Sequence, residues 1–179
     1  VVCKTDPDCK PPHDGMSLLL VEAGTPGFEK GRNLKKLGLK GQDTSEMSFS
    51  DCRVPVENLL GSEGRGFKML MEKLQQERLC IGVGSMASCR RSLEDTLDYV
   101  RERTAFGKPI GTFQNTQFKL AEIATEIEIG QAFVDQLLVA HVAGEDIVSE
   151  VSMAKWWTSE LQKKVSSECL QLFGGYGFM

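Results

Sequence analysis

The spacing of apolar and polar positions changes its period once along the chain. Over the first 60 residues the apolar positions fall in short runs such as MSLLLVEAG and EMSFSDCRVP, each ended by glycine or proline, which is typical of strands. The segment between these runs, residues 24–44, is rich in glycine and lysine and favours loops and a short strand. From Phe67 onward the apolar period becomes 3.6 residues, which predicts helices.

Three long helices are predicted after the change of period. They run from Phe67 to the segment RERTAFGKPIG, from about Phe113 to Val142, and from Asp146 to the FGG at residues 173–175. Thr112 is the predicted N-cap of the second helix and Gly144 its stop. Short connections between long helices favour an antiparallel bundle. We therefore predict an α+β fold that is mainly α, with strands over residues 1–60 and a helical bundle over residues 61–179.

Composition and charge exclude several classes of protein. The 179 residues are 41% hydrophobic and 26% charged, which predicts a folded globular chain. The net charge of -4 is scattered along the chain and does not favour nucleic acid, and no apolar run reaches the roughly 20 residues of a membrane helix. Six cysteines occur without a CxxC pair, so no metal site is predicted. A disulfide between Cys3 and Cys9 remains an alternative for an oxidising compartment, but reduced thiols are expected.

The segment LMEKLQQERLCIGVG, residues 70–84, carries the first chemical candidate. In a helix, Glu77 shares a face with four apolar or small residues, namely Leu70, Leu74, Ile81 and Gly84. If that face packs, the carboxylate loses hydration, which raises its pKa toward the range of a general base. The alternative is an exposed glutamate that pairs with Lys73 one turn earlier.

Two further segments are candidates for binding an anionic ligand. RERTAFGKPIGTFQ places Arg101, Arg103 and Lys108 around a helix end, and its next helix begins with free N–H groups that could hold a pyrophosphate. The alternative is that these cations complement the dipole of the first helix. The glycines of QLFGGYGF permit close approach to a ligand, although a glycine C-cap followed by a turn explains two of them.

Four segments in order resemble the acyl-CoA dehydrogenase family. They are KLGLKGQDTSEMSFSDCRVPVENLLGSEGRGF, LQQERL, RERTAFGKPIGTFQNTQFKLAEI and CLQLFGGYGF, and together they cover essentially the whole chain. The resemblance implies the end of the family's β-barrel middle domain up to about Leu60, followed by most of its C-terminal helical domain. The chain opens without Met and stops directly after a glycine cluster, so we expect it to be a fragment.

The resemblance also implies an activity. Family members use FAD to oxidise acyl-CoA thioesters to trans-2-enoyl-CoA, and a glutamate removes the proton next to the thioester. The long-chain and isovaleryl branches carry this glutamate in the first long helix of the C-terminal domain, in a Glu-Arg pair. LQQER is similar to the long-chain branch, which implies that Glu77 is the base and that Gln75, Gln76 and Arg78 lie beside the acyl-CoA. Family long-chain members often have proline where Gln75 stands.

The flavin contacts and the partners follow from the same resemblance. Positions that match family contacts to FAD, several of them to the FAD of a neighbouring subunit, are Arg103, Phe106, Gln114, Gln171, Leu172, Phe173, Gly174 and Gly175. The resemblance implies a homo-oligomer, dimer or tetramer, with electron-transfer flavoprotein as the acceptor. It implies the mitochondrial matrix if the source is eukaryotic, and the cytoplasm if it is bacterial. Two alternatives stay open: a non-catalytic helical interaction module, and a related flavin oxidase that acts on acyl-CoA or a nitroalkane.

Overall fold

A computed structural model describes residues 1–179, which divide into two compact units, residues 1–72 and 73–179. The strands of the first unit are β1 (Val2–Lys4), β2 (Met16–Leu19), β3 (Phe28–Asn33), β4 (Ser45–Phe49) and β5 (Leu59–Leu60). Helix α1 (Gly66–Glu102) begins in this unit and continues into the second. The second unit then contains β6 (Thr104–Ala105), β7 (Lys108–Pro109), α2 (Gln114–Val142) and α3 (Val148–Leu172).

The first unit contains two small antiparallel sheets. One has the strand order β1-β2-β5, and the other is the β3–β4 hairpin, in which Phe28 stacks on Phe49 with ring centroids 4.9 Å apart. Ser17 of β2 is fully buried, and its hydroxyl oxygen lies 2.8 Å from Thr5 Oγ1 and accepts the Gly64 N–H at 2.9 Å. The strands do not close into a barrel within this chain.

The three helices of the second unit run up, down and up. Residues of α2 contact α3 in opposite order along the chain: Glu126 binds Lys164, and Gly130 lies against Trp157. The same reversal relates α1 to α2, because Met86 lies against Gly130 and Arg90 pairs with Glu128 at 3.4 Å. Each long helix therefore has antiparallel neighbours along the chain, as the short connections predicted.

The core of the bundle is apolar and is supplied by one stripe of each helix. On α1 the stripe follows heptad-like spacing, which is the spacing of a helix face that packs between two others. The buried core residues are Leu79, Met86, Cys89, Ile123, Ile127, Val134, Leu137, Ile147, Val151, Ala154, Leu161, Val165 and Cys169. Thr158 is also fully buried, and its hydroxyl donates to the Ala154 carbonyl at 2.7 Å, which satisfies this polar group inside the core.

The structure confirms the mainly helical α+β fold and corrects two helix boundaries. Thr112 is not the N-cap of α2: Phe113 holds that position, and the Thr112 hydroxyl instead donates to the Pro109 carbonyl at 2.7 Å. Helix α3 begins at Val148 rather than at Asp146. Gly144 adopts a φ of +80° directly after α2, which is the left-handed conformation that a glycine stop supplies.

Two further predictions concern the domain boundary and the cysteines. The boundary between residues 60 and 61 stays a prediction, and all six cysteines are free thiols in this structure. None of the helices is both long enough and apolar enough to span a membrane.

Candidate functional site

Glu77 lies on an exposed face of α1 that carries mainly apolar or small residues, with Lys73 one turn earlier as a second charged residue. Leu70 and Ile81 of this face are 39% and 46% exposed, Leu74 is half-buried, and Gly84 has open space around its Cα. Helical rise makes the strip from residue 70 to residue 84 about 21 Å long, with Glu77 at its midpoint. Glu77 is exposed and forms no hydrogen bond or ion pair, so its carboxylate is free to meet a ligand.

The Glu77 face does not pack against other residues of this chain. The side of α1 that packs in the bundle carries Leu79, Gly82 and Met86, and Leu79 and Met86 point about 180–200° away from Glu77 at 100° per residue. The ion pair of Glu77 with Lys73, the alternative considered from the sequence, does not form either. The exposed strip is therefore a second apolar face of α1, distinct from its core face.

The neighbours of Glu77 are held by the bundle. The Gln75 amide donates to the Glu145 carbonyl at 3.0 Å and accepts the Ile147 N–H at 3.1 Å. Arg78 Nη1 donates to Ser152 Oγ at 3.1 Å. The predicted contacts of Gln75 and Arg78 with acyl-CoA stay predictions, as does that of Gln76, an exposed residue without a hydrogen bond.

A cleft of about 430 Å³ lies where the C-terminal ends of α1 and α3 meet. Arg103 lines this cleft, and its guanidinium carbon lies 5.7 Å from the centroid of the Tyr176 ring, as in a cation–π contact. Tyr99 stacks on Phe173 with centroids 4.3 Å apart, and its hydroxyl donates to the Phe173 carbonyl at 3.3 Å. The full lining is Tyr99, Arg103, Ile110, Leu172, Phe173, Gly174, Gly175, Tyr176 and Met179.

Three positions at the end of α3 are occupied by glycine for different structural reasons. Gly177 packs so closely that a Cβ there would meet the Leu170 carbonyl oxygen at 2.5 Å. Gly174 has a φ of +59°, which favours glycine by itself. Gly175 has neither a positive φ nor any atom within 4 Å of a Cβ. Packing within this chain gives no reason for glycine at residue 175, whereas close approach of a ligand or partner would.

The structure brings together five of the eight predicted flavin contacts and leaves three outside the cleft. Arg103 shares the cleft with residues 172–175, although about 70 positions separate them in sequence. Gln171 is exposed and does not line it. Phe106 is 96% exposed at the tip of the β6–β7 hairpin with a φ of +55°, and Gln114 is the exposed first residue of α2. These three side chains face solvent in the isolated chain.

Two groups of residues at these sites were missed by the sequence analysis. Tyr99 could have been found, because it precedes Arg103 by four positions, and the Arg103 N–H, one residue past the end of α1, still donates to the Tyr99 carbonyl at 2.8 Å. His141, Glu145 and Ile147 hold Gln75, and no local pattern connects them to it. Their sequence separations from Gln75 are 66, 70 and 72 residues, so only the packed bundle reveals them.

The shifted pKa values of carboxylates and amines lie away from both sites, between α2 and α3. Lys164 Nζ binds Glu122 at 2.7 Å and Glu126 at 2.9 Å, and Lys119 pairs with Glu168 close by. The hydrogen bond from Lys164 lowers the pKa of Glu122, and the hydrogen bonds to Glu122 and Glu126 raise the pKa of Lys164. This cluster of charges joins two helices at their exposed edges, which is a structural role.

Comparison with known proteins identifies the class to which this fold and these sites belong. Residues 64–179 match the family described as acyl-CoA dehydrogenase, C-terminal domain. The chain belongs to the acyl-CoA dehydrogenase family, in agreement with the resemblance seen in the sequence.

Individual relatives place the chain within that family. It is 47% identical over all 179 residues to the mitochondrial long-chain specific acyl-CoA dehydrogenase of Mus musculus, and it covers 42% of that protein. It is 41% identical over 165 residues to acryloyl-CoA reductase (NADH) of Anaerotignum propionicum, and this match covers 92% of this chain and 42% of that protein. The chain thus spans less than half the length of the curated relatives it matches.

Solved structures share the fold closely. The crystal structure of acyl-CoA dehydrogenase from Geobacillus kaustophilus matches with a TM-score of 0.97 and 56% identity, covering 100% of this chain and 47% of that one. The structure of PigA with FAD and proline matches with a TM-score of 0.92 and 29% identity, covering 99% of this chain and 46% of that one. The same helical arrangement therefore occurs in a protein that binds FAD.

Proposed function

We propose that this chain forms the C-terminal part of a flavin-dependent enzyme that oxidises acyl-CoA thioesters to trans-2-enoyl-CoA, with Glu77 as the catalytic base. The observation that carries the proposal is the placement of Glu77. Its carboxylate is exposed between Leu74 and Ile81, one turn away on either side, and it forms no ion pair with Lys73 or with any other residue of the chain. Relatives named for acyl-CoA dehydrogenation and acryloyl-CoA reduction support an acyl-CoA substrate.

The chemistry follows from a carboxylate in an apolar strip. The Glu77 carboxylate takes the proton from the carbon next to the thioester carbonyl, and FAD, when bound, accepts the hydride that leaves the adjacent carbon. Leu74 and Ile81 flank Glu77 by one turn on each side, so an acyl chain lying on the strip excludes water from the carboxylate. Loss of hydration disfavours the charged carboxylate and makes it a stronger base toward a weak carbon acid.

The residues at the α1–α3 cleft fit a flavin cofactor. Arg103 offers a guanidinium to a phosphate or a flavin carbonyl, and Gly175 leaves the backbone open to close approach. Phe106, Gln114 and Gln171 are exposed beside this region, where a second subunit could bring its own FAD against them. The proposal therefore includes a homo-oligomer, dimer or tetramer, in which this chain contacts the FAD of its neighbour.

The electron acceptor and location complete the proposal. Electron-transfer flavoprotein is the acceptor proposed for the reduced flavin, as the family resemblance implies, within fatty acid or branched-chain acyl-CoA metabolism. The location proposed is the mitochondrial matrix for a eukaryotic source and the cytoplasm for a bacterial one. Relatives of both kinds exist, namely the mitochondrial enzyme of Mus musculus and an acyl-CoA dehydrogenase of Bacillus subtilis.

The test uses the full-length holoenzyme under anaerobic conditions. Acyl-CoA thioesters of increasing chain length are mixed with the wild-type protein and with Glu77→Gln, and bleaching of the flavin is followed. Glu77→Gln keeps the size of the side chain and removes its basicity, so the rate of flavin reduction should fall about 100- to 10,000-fold while the FAD content stays unchanged. The matched control is Glu94→Gln, which alters another exposed and unpaired glutamate of α1.

Several outcomes would contradict the proposal. Flavin reduction by Glu77→Gln at nearly the wild-type rate would place the base elsewhere. A wild-type protein that binds no flavin and oxidises none of the acyl-CoA thioesters would favour the non-catalytic interaction module. Steady oxygen consumption with release of peroxide would instead identify a flavin oxidase.

A further inference from the structure

The carboxamide of Gln75 uses both of its N–H donors and one lone pair of its oxygen on the end of α2 and the α2–α3 connection. Its Nε2 donates to the Glu145 carbonyl at 3.0 Å and lies 3.2 Å from His141 Nδ1, while its Oε1 accepts the Ile147 N–H at 3.1 Å. An amide group has two N–H donors and one carbonyl, so no donor of Gln75 is left for a ligand. The side chain therefore joins α1 to the segment that begins α3.

A second attachment follows one helical turn later. Arg78 Nη1 donates to Ser152 Oγ at 3.1 Å, and Ser152 Oγ donates to the Val148 carbonyl at 2.5 Å in the first turn of α3. Residues three apart lie on the same side of a helix, so Gln75 and Arg78 attach α1 from one side. Glu77 lies between them in sequence and projects from another side of the same turn.

We propose that Gln75 is a positioning residue: it fixes the turn of α1 that carries Glu77 against the α2–α3 connection, and it does not bind acyl-CoA. This inference rests on the proposed role of Glu77 as the base. The geometry gives Gln75 a different task from the substrate contact that the sequence resemblance implied. Proton transfer requires the base within hydrogen-bonding reach of the substrate carbon, so a loosened turn should slow the chemical step without weakening substrate binding.

Removal of the Gln75 carboxamide should destabilise the contact between α1 and the α2–α3 connection, because this group forms hydrogen bonds with backbone atoms there. Without the carboxamide, the Ile147 N–H and the Glu145 carbonyl lose their partner, and Ile147 is a buried residue at the start of α3. The exposed Glu145 carbonyl can bind water instead, but the Ile147 N–H is left unpaired in a partly buried place, and α1 loses one of its two attachments beside Glu77. A displacement of about 1 Å at a reacting group can cost about 100-fold in rate.

The test compares Gln75→Leu with wild type in the full-length holoenzyme. Single-turnover flavin reduction, measured over a range of acyl-CoA concentrations, separates the limiting rate from the dissociation constant of the substrate. The limiting rate should fall about 10- to 100-fold, while the dissociation constant changes less than about twofold. Gln136→Leu is the matched control: it makes the same change at an exposed glutamine of α2 that forms no hydrogen bond, and it should change neither quantity.

A double-mutant cycle with Glu77→Gln tests whether Gln75 acts through the base. In the Glu77→Gln background, Gln75→Leu should reduce the residual rate by less than about twofold, because no base is left to position. Equal losses in both backgrounds would overturn the proposal. A raised dissociation constant with an unchanged limiting rate would also overturn it, and would establish the substrate contact.

Two further results keep the two proposals apart. Nearly wild-type flavin reduction by Glu77→Gln alone refutes the role of the base, whatever Gln75→Leu does. If Gln75→Leu fails to fold, Gln75→Glu replaces it, since this variant keeps an acceptor for the Ile147 N–H and removes both donors. The same loss of limiting rate at unchanged substrate affinity is expected, and an unchanged rate would overturn the positioning role.

Discussion

Two buried glycines at the junction of the three helices should respond to alanine in opposite ways. Gly130 of α2 packs against α1 and α3: a Cβ there would lie 2.7 Å from the Trp157 ring and 2.8 Å from Met86 Sδ. Gly82 of α1 occupies a similar place, but a Cβ there would lie 3.6 Å from Val134 Cγ2, which is ordinary contact. We predict that Gly130→Ala destabilises the bundle and that Gly82→Ala stabilises it.

The magnitudes follow from the distances and from helix propensity. Contacts of 2.7–2.8 Å are more than 0.5 Å too short, and Met86 is only 1% exposed, so it has little room to withdraw. Overpacking of this kind costs about 1–3 kcal/mol, while the change from glycine to alanine in a helix gains about 1 kcal/mol. Gly130→Ala should therefore lose up to about 2 kcal/mol. Gly82→Ala has only the gain and should be stabilised by about 0.5–1 kcal/mol.

Hydrogen exchange of the full-length protein measures the local stability of the helices. Peptides from the cores of α1, α2 and α3 should exchange faster in Gly130→Ala, by up to about 30-fold, and about 2- to 5-fold slower in Gly82→Ala. Equal effects of the two substitutions would refute the reasoning, because they share the same gain in propensity and differ only in the space available. Faster exchange in Gly82→Ala would show that the helices pack more closely there than these distances indicate.

Two further predictions concern the flavin contact and a buried thiol. Arg103→Ala should weaken FAD retention about 10- to 100-fold, because a hydrogen bond to a charged group is lost, and flavin per subunit after gel filtration measures this. Arg91→Ala is the control, and equal flavin content in the two variants would contradict the contact of Arg103 with FAD. Burial, with a smaller contribution from Cys169, raises the pKa of Cys89 from 9.0 to about 11, so the folded protein holds its proton longer than the unfolded chain. Stability should fall as pH rises from 9 to 11, by about 2–3 kcal/mol in total, and Cys89→Ala should abolish this component in unfolding experiments across that range.

The sequence by itself determined where the helices lie and to which family the chain belongs. The change of apolar period near Phe67 marks the start of α1 to within one residue, because helix formation depends on spacing within one stretch of chain. Gly144 ends α2 because only local backbone geometry is required of it. The order of four short segments was sufficient to indicate the family, since each segment is contiguous.

Only the tertiary structure decided which face of α1 is buried and what its side chains bind. Both the Leu70–Ile81 side and the Leu79–Met86 side of α1 are apolar, and periodicity cannot rank two apolar faces of one helix. The packing of α2 and α3 selects the second face and leaves Glu77 in solvent. Gln75 likewise meets partners 66–72 residues away, because hydrogen bonds between helices depend on the register of packing, which no local sequence pattern encodes.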